Sequence, residues 1–338
     1  MTCKQIVFTE INKAELIETE LPAVTSGLVK VKTEITSISC GTERANITGD
    51  PNVSCFGKPE VVFPRYSGYS SAGTVVEIGE DVKSVKVGDR VAMFWSAHRE
   101  YNVLPEKNVV KIEYDNISFK EAALGHIANF PMAAVRKTRL ETGESMMVMG
   151  LGILGLFAVG IARASGAVPV IAVDPVKERR EKALKFGADY AFDPFDADFE
   201  KKVKAVTDGG VNTAVEVTGS GAGLNETLDC MAKFGRVALL GCTRNSDFNI
   251  DYYRKVHGPG ISLIGAHTLA RPNEESSAGY FTHRDDLKAF LKLVAMKRMN
   301  VLDIIDATYS PKDCSEVYTR LINDKNFPVV SQFDWSQI

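Results

Sequence analysis

Three glycines, in the run Gly150-Leu151-Gly152-Ile153-Leu154-Gly155, stand between an apolar strand-like stretch at 146–149 and an apolar helical stretch that reaches Ser165. That context gives the spacing chemical meaning. The first Gly permits a tight turn, the second lets a pyrophosphate approach the backbone, and the third lets strand and helix pack. Ile153 and Leu154 open the helix, whose N-terminus offers unpaired N–H groups to phosphate. The next strand, 169–173, ends at Asp174, close to the ~20-residue spacing at which an acid accepts hydrogen bonds from an adenosine ribose and repels a 2′-phosphate. NAD is therefore favoured over NADP, with Arg179, Lys177 and Arg180 just beyond to offset part of the repulsion.

Other chemistry-bearing side chains are sparse. Six cysteines and five histidines are scattered with no CxxC pair, so neither a disulfide framework nor a structural metal lobe can be drawn from them. The net charge of -3 gives no basic excess for nucleic acid or an anionic membrane, and a small molecule is the expected partner. No apolar run approaches the ~20 residues of a membrane helix, and the N-terminus turns acidic too soon for a signal peptide. A cytoplasmic protein is expected.

At 338 residues the chain exceeds the roughly 100 to 200 typical of one domain, so two folding units are expected. Residues 28–33 and 72–79 alternate with period two, and 86–91 reads as a turn into another strand, which marks the first hundred residues as β-rich. Helical spacing begins at 119–140. Strand-like runs at 146–149, 169–173, 213–217, 236–240 and 261–264 then alternate with helix-like ones such as 176–186 and 223–233, which implies βαβ units and a parallel sheet. An amphipathic helix at 285–298 and a strand near 329–333 close the pattern.

The order and spacing of several motifs resemble the medium-chain dehydrogenase/reductase superfamily. They are Cys40-Gly41-Thr42-Glu43, the run Gly68 to Gly73 with Val75 to Gly79, Gly88-Asp89-Arg90-Val91, the glycine loop with Asp174, Val217-Thr218-Gly219, and Gly235-Arg236 leading to Gly241. The resemblance implies an α/β protein with a GroES-like β-rich catalytic domain at 1–125, a Rossmann doubly wound parallel-sheet NAD-binding domain at 126–270, and a segment at 271–338 that returns to the catalytic domain. It further implies an active site in the cleft between the domains. Thr218, Gly219, Gly241, Cys242 and the pair Gly265-Ala266 would lie along the dinucleotide. It also implies a homodimer or homotetramer, with 261–264 near a twofold seam.

Catalytic zinc in that family takes three protein ligands and leaves one position for the substrate oxygen. Cys40 matches the first ligand position and His126 falls where the third usually stands. At the middle position the usual Gly-His-Glu reads Gly68-Tyr69-Ser70, and a neutral phenol is a poor ligand. Cys40 and His126, with water, Ser70 or His98, leave a weaker site open; the four-cysteine structural zinc is not encoded. Without metal, Tyr69 would donate a hydrogen bond to the substrate oxygen and His126 would move its proton near pH 7. Thr42 matches a hydroxyl that begins a proton relay, Ala45 replaces the relay histidine of some members, Glu43 would orient neighbours, and Arg44 would meet an anionic or hydroxylated substrate.

These residues point to an NAD-dependent oxidoreductase that moves a hydride between nicotinamide and a secondary alcohol or ketone of a sugar, polyol or related metabolite. Two alternatives stay open: a zinc-free quinone or enone reductase with Tyr69, Trp95 and Phe130 lining an apolar slot, and a non-catalytic dinucleotide-binding sensor.

Overall fold

A computed structural model describes residues 2–57 and 59–338. Contacts divide the chain into two units. One comprises the residues up to Ile127 together with 287–296 and 301–338; the other comprises 128–286 and 297–300.

The first unit opens with a hairpin, β1 (Thr2–Glu10) and β2 (Lys13–Glu20), followed by β3 (Leu28–Ile38) and the short helix α1 (Cys40–Ile47). Strands β4 (Arg65–Tyr66), β5 (Ser70–Ile78), β6 (Arg90–Phe94), β7 (Tyr101–Pro105) and β8 (Val109–Lys111) follow, then helix α2 (Phe119–Ala122) and the first turn of α3 (Gly125–Lys137), whose residues from Ala128 onward belong to the second unit. The expected helix over 119–140 is thus two helices: the Ser118 hydroxyl and the Glu121 carboxylate cap α2 reciprocally, and the chain turns again before Gly125.

The second unit holds β9 (Met146–Met149), α4 (Ile153–Ala164), β10 (Val170–Val173), α5 (Lys177–Phe186), β11 (Tyr190–Phe192), α6 (Phe199–Ala205), β12 (Val211–Glu216), α7 (Gly221–Asp229), β13 (Met231–Leu239), β14 (Ser262–Gly265) and the start of α8 (His283–Ala295). The six strands pair in parallel in the order β11-β10-β9-β12-β13-β14. Numbered from the first of them, this is the 3-2-1-4-5-6 order of a doubly wound sheet, whose switch point lies between β9 and β12. Strands β9 and β10 are buried at every residue, as a sheet covered on both faces requires. Helix α7 stops at Asp229 where the sequence pattern reaches 233, because Met231 already pairs with Val211 in β13. The stretch 271–286 belongs to this unit by its contacts: Arg271 donates to the Thr268 and Asn129 carbonyls and pairs with Asp286.

The chain then completes the first unit with β15 (Ala307–Tyr309), α9 (Cys314–Asn323) and β16 (Ser331–Asp334). Strand β16 runs antiparallel to β3, so the last residues of the chain lie beside some of the first. Phe8, Ile38, Ile47, Tyr318, Phe333 and Trp335 form one core cluster, with Phe8 and Tyr318 edge to face at 4.8 Å. No helix among the described residues is long and apolar enough to cross a membrane.

Candidate functional site

In the second unit the glycine loop leaves β9 at the switch point of the sheet. Gly150 has φ +96, a backbone conformation that L side chains rarely adopt, and a Cβ on Gly155 would stand 1.8 Å from the Gly150 carbonyl oxygen. A Cβ on Gly152 would meet nothing within 4 Å. Two glycines therefore shape the turn and the middle one faces open space, which fits a phosphate-binding loop. Gly152 is also the N-cap of α4 and supplies no side-chain cap, so the first N–H groups of the helix, beginning at buried Ile153, are not taken up by a capping residue.

Asp174 closes β10 in buried surroundings, and its carboxylate accepts from the backbone N–H groups of Leu151 and Val176, each at 2.8 Å. One oxygen therefore ties the acid to the glycine loop. A carboxylate has about four acceptor positions, which leaves capacity for ribose hydroxyls. Arg179 approaches it to 3.6 Å from the first turn of α5, whereas Arg180 turns to the Asp174 carbonyl and to Asp193, and exposed Lys177 pairs with Glu181.

At the end of β12, buried Glu216 accepts from Thr218 N, the Thr218 hydroxyl and Gly219 N, and so builds the turn that carries both residues. Burial raises the Glu216 pKa, with the donors of Thr218 and Gly219 opposing it. Gly219 has φ +66, and a Cβ on Gly241 would fall 2.2 Å from its nitrogen, which brings the turns after β12 and β13 into contact. Cys242 is exposed there, and Gly265 ends β14 beside open space. Gly150, Gly152, Ile153, Leu154, Gly155, Asp174 and Arg179 thus share the carboxyl ends of β9 and β10, and Thr218, Gly219, Gly241 and Cys242 share those of β12 and β13.

In the first unit the predicted residues gather around α1 and the start of β5. The Tyr69 hydroxyl donates to Ser39 Oγ at 2.5 Å, and the Tyr69 ring stands edge-on to the His126 imidazole at 5.5 Å. Phe94 and Trp95 complete an aromatic surround of His126, at 5.6 and 4.6 Å. Ser70 accepts from the N–H groups of His126 and Ile127 and donates to the Ala123 carbonyl, which fixes the start of α3. Thr42 lies half-buried in α1. Arg44 is turned away from this group, its Nε donating to the Leu321 carbonyl of α9.

Glu43 and His98 are committed to a buried network. The Glu43 carboxylate accepts from Ser39 N, from the Tyr318 hydroxyl at 2.5 Å and from His98 Nε2 at 3.2 Å, while Thr36 Oγ1 stands 2.6 Å from His98 Nδ1 and accepts from Trp335 Nε1. One tautomer satisfies every partner: His98 Nε2–H donates to Glu43, and the Thr36 hydroxyl donates to Nδ1. Gly68 is required beside it, since its φ is +81 and a Cβ would come within 2.5 Å of the His98 ring and backbone. His98 therefore serves this network rather than completing a metal site. Ser39, Thr36 and Tyr318 were not singled out from the sequence; only Ser39 carried a local signal, as a serine preceding a helix.

The donor set does not fit catalytic zinc. Cys40 Sγ stands 3.8 and 3.6 Å from the Pro328 and Val329 carbonyl oxygens, an arrangement suited to a protonated thiol, and Tyr69 is turned to Ser39. Among the described residues no group of three His, Cys, Asp or Glu side chains could hold a metal ion.

Comparison with known proteins agrees with both halves. The alcohol dehydrogenase GroES-like domain matches residues 25–114 and the zinc-binding dehydrogenase family matches 154–281. An L-threonine 3-dehydrogenase of Pyrococcus horikoshii is 33% identical over 257 residues, covering 68% of this chain and 72% of that protein. A D-guloside 3-dehydrogenase of Shigella flexneri is 24% identical over 339 residues, covering 95% and 96%. Among solved structures, a short chain alcohol dehydrogenase from E. coli CFT073 complexed with NADH superposes with a TM-score of 0.82 at 19% identity, covering 98% of this chain and 99% of that one. The chain belongs to the zinc-type medium-chain dehydrogenase/reductase superfamily and is an alcohol-dehydrogenase-like oxidoreductase.

Proposed function

We propose that the protein is an NAD-dependent dehydrogenase that interconverts a secondary alcohol and a ketone on a small hydroxylated metabolite, with Tyr69 in place of a metal at the reacting oxygen. What supports this is the presence in one chain of a glycine turn shaped as a phosphate loop would be, an acid tied to that turn at the end of β10, and a phenol at the position where the family usually has a zinc ligand. L-Threonine and D-guloside, named in two relatives, share a secondary hydroxyl among other polar groups, which supports the substrate class. Bound nicotinamide would accept or return the hydride. In ketone reduction Tyr69 gives its hydroxyl proton to the substrate oxygen, and in oxidation the phenolate takes it back. His126, walled by Tyr69, Phe94 and Trp95, shapes the pocket beside that hydroxyl, and Trp95 holds an unusual φ of +56 with its ring partly exposed. Cys40 and His126 are read as pocket residues, and no zinc is assigned to them.

The direct test is steady-state turnover with NAD and NADP against L-threonine, sorbitol, 2,3-butanediol and a quinone. Tyr69→Phe should lower kcat about a hundredfold with cofactor affinity retained. An unchanged kcat, or stoichiometric zinc that is lost in Cys40→Ser, would overturn the assignment. We further propose a dimer through the outer edge of β14, where Leu263 is exposed and Phe234 stands out from β13; light scattering showing a monomer at micromolar concentration would refute it.

A further inference from the structure

Ser39 is the N-cap residue of α1, yet its side chain makes no cap hydrogen bond. A serine there ordinarily accepts from an N–H in the first turn, so releasing it from that role weakens the helix start. Here its Oγ accepts the Tyr69 hydroxyl at 2.5 Å. Its backbone is held separately: Ser39 N donates to the Glu43 carboxylate at 2.9 Å, and its carbonyl accepts Glu43 N at 2.8 Å.

Glu43 in turn is pinned from elements far apart in sequence, by Tyr318 of α9 and by His98, which is itself fixed through Thr36 to Trp335. Glu43 and His98 are almost wholly buried. Burial of a carboxylate is unfavourable unless its oxygens are well supplied with donors, and three different donors meet it here. The whole assembly ends on one serine hydroxyl and, through it, on one phenol.

We infer that Ser39 is a positioning residue for Tyr69, with its backbone clamped by the Glu43, His98 and Tyr318 network so that its hydroxyl aims and supports the phenol. This rests on the reading of Tyr69 given above. A serine hydroxyl has one hydrogen and two lone pairs, so the same contact serves two states. At rest it accepts from Tyr69. With a ketone bound, the single phenol hydrogen turns from Ser39 to the substrate oxygen and the Ser39 hydroxyl turns to donate to the Tyr69 oxygen; as the proton passes to the substrate during ketone reduction, that donation supports the phenolate, which then recovers a proton from solvent.

The test uses the full-length protein, NAD(H) and whichever of 2,3-butanediol, sorbitol or L-threonine the wild type turns over fastest. Ser39→Ala should lower kcat about tenfold while KM for alcohol and NAD stays within about twofold, and Ser39→Thr should restore most of the loss. In the Tyr69→Phe background Ser39→Ala should have almost no further effect, since the group it supports is gone. Should Ser39→Ala not fold, Ser39→Thr and Tyr318→Phe carry the test, the latter lowering kcat with KM unchanged by loosening Glu43. Wild-type kcat in Ser39→Ala together with an impaired Tyr69→Phe would overturn the inference and leave Tyr69 in its role. Equal loss of kcat, KM and thermal stability without rescue by Thr would reduce Ser39 to a structural part. No turnover of any secondary alcohol by the wild type, or a fully active Tyr69→Phe, would defeat the underlying reading and this inference with it.

Discussion

The glycine loop and the Tyr69 cluster are built in opposite ways. The loop is made of backbone: its shape follows from where a Cβ cannot fit, and its ligand contacts would be N–H groups that any sequence possesses. The Tyr69 cluster is made of side chains from distant parts of the sequence: Thr36 of β3, Ser39 and Glu43 at α1, Tyr69 at the start of β5, His98, and Tyr318 of α9, joined by hydrogen bonds. A backbone site constrains a few glycines in one short segment and tolerates change elsewhere. A side-chain site depends on groups brought together from distant positions, as Tyr318 and Glu43 are here. The difference fits a chain that carries the glycine spacing of a phosphate loop together with Gly68-Tyr69-Ser70 in place of the family's usual Gly-His-Glu.

Breaking the loop should have the largest effect. Gly155→Val places a branched side chain against the Gly150 carbonyl, and NAD affinity measured by calorimetry should fall about a hundredfold or more. Retained affinity would mean that the turn is not held by close packing. A smaller, sharper change is Asp174→Asn, which keeps an acceptor for Leu151 N while removing the charge; the ratio of kcat/KM for NAD over NADP should fall about tenfold. An unchanged ratio would remove Asp174 from the ribose and shift attention to Arg179.

The smallest effect is on stability. Burial pushes the His283 imidazole down to about 3, with the Arg271 charge adding to it, against an ordinary value of 6.5. Above 6.5 both folded and unfolded states are neutral at this group. As pH falls toward 3 only the unfolded state takes the proton, so stability declines by at most about 1.4 kcal/mol per pH unit from this residue. Denaturant unfolding of His283→Gln between pH 7 and 4.5 should show a shallower decline than the wild type. Parallel slopes would mean that His283 titrates normally in the folded protein.

The same contrast governs what the sequence reveals. The parallel-sheet unit was legible because apolar runs such as Met146–Met149 and Val170–Val173 alternate with helical ones, and because the loop is local. The division of 119–140 into two helices was hidden, since the break between Ala122 and Gly125 falls inside the apolar run Ala122-Ala123-Leu124. In the pocket, Cys40, Tyr69 and His126 were visible by their position in motifs. Tyr318 was not, because its only tie to the site is a hydrogen bond to Glu43 across 275 residues of sequence. His98 reads in the sequence as a candidate ligand, but its two nitrogens face Glu43 and Thr36, which lie far from it in the chain.

Ser70 bears on what the family's usual metal-binding motif would cost at this site. Its hydroxyl gives a hydrogen to the Ala123 carbonyl and accepts two N–H groups at the start of α3, the helix that carries His126. A carboxylate at that position has no hydrogen to give, and an imidazole at 69 would leave Ser39 without the phenol it faces. The two substitutions that would restore the metal-binding motif thus each break an existing bond before any ion can compensate. Each substitution made alone should therefore lower stability in the absence of an ion, because the bond it removes also anchors a neighbouring element.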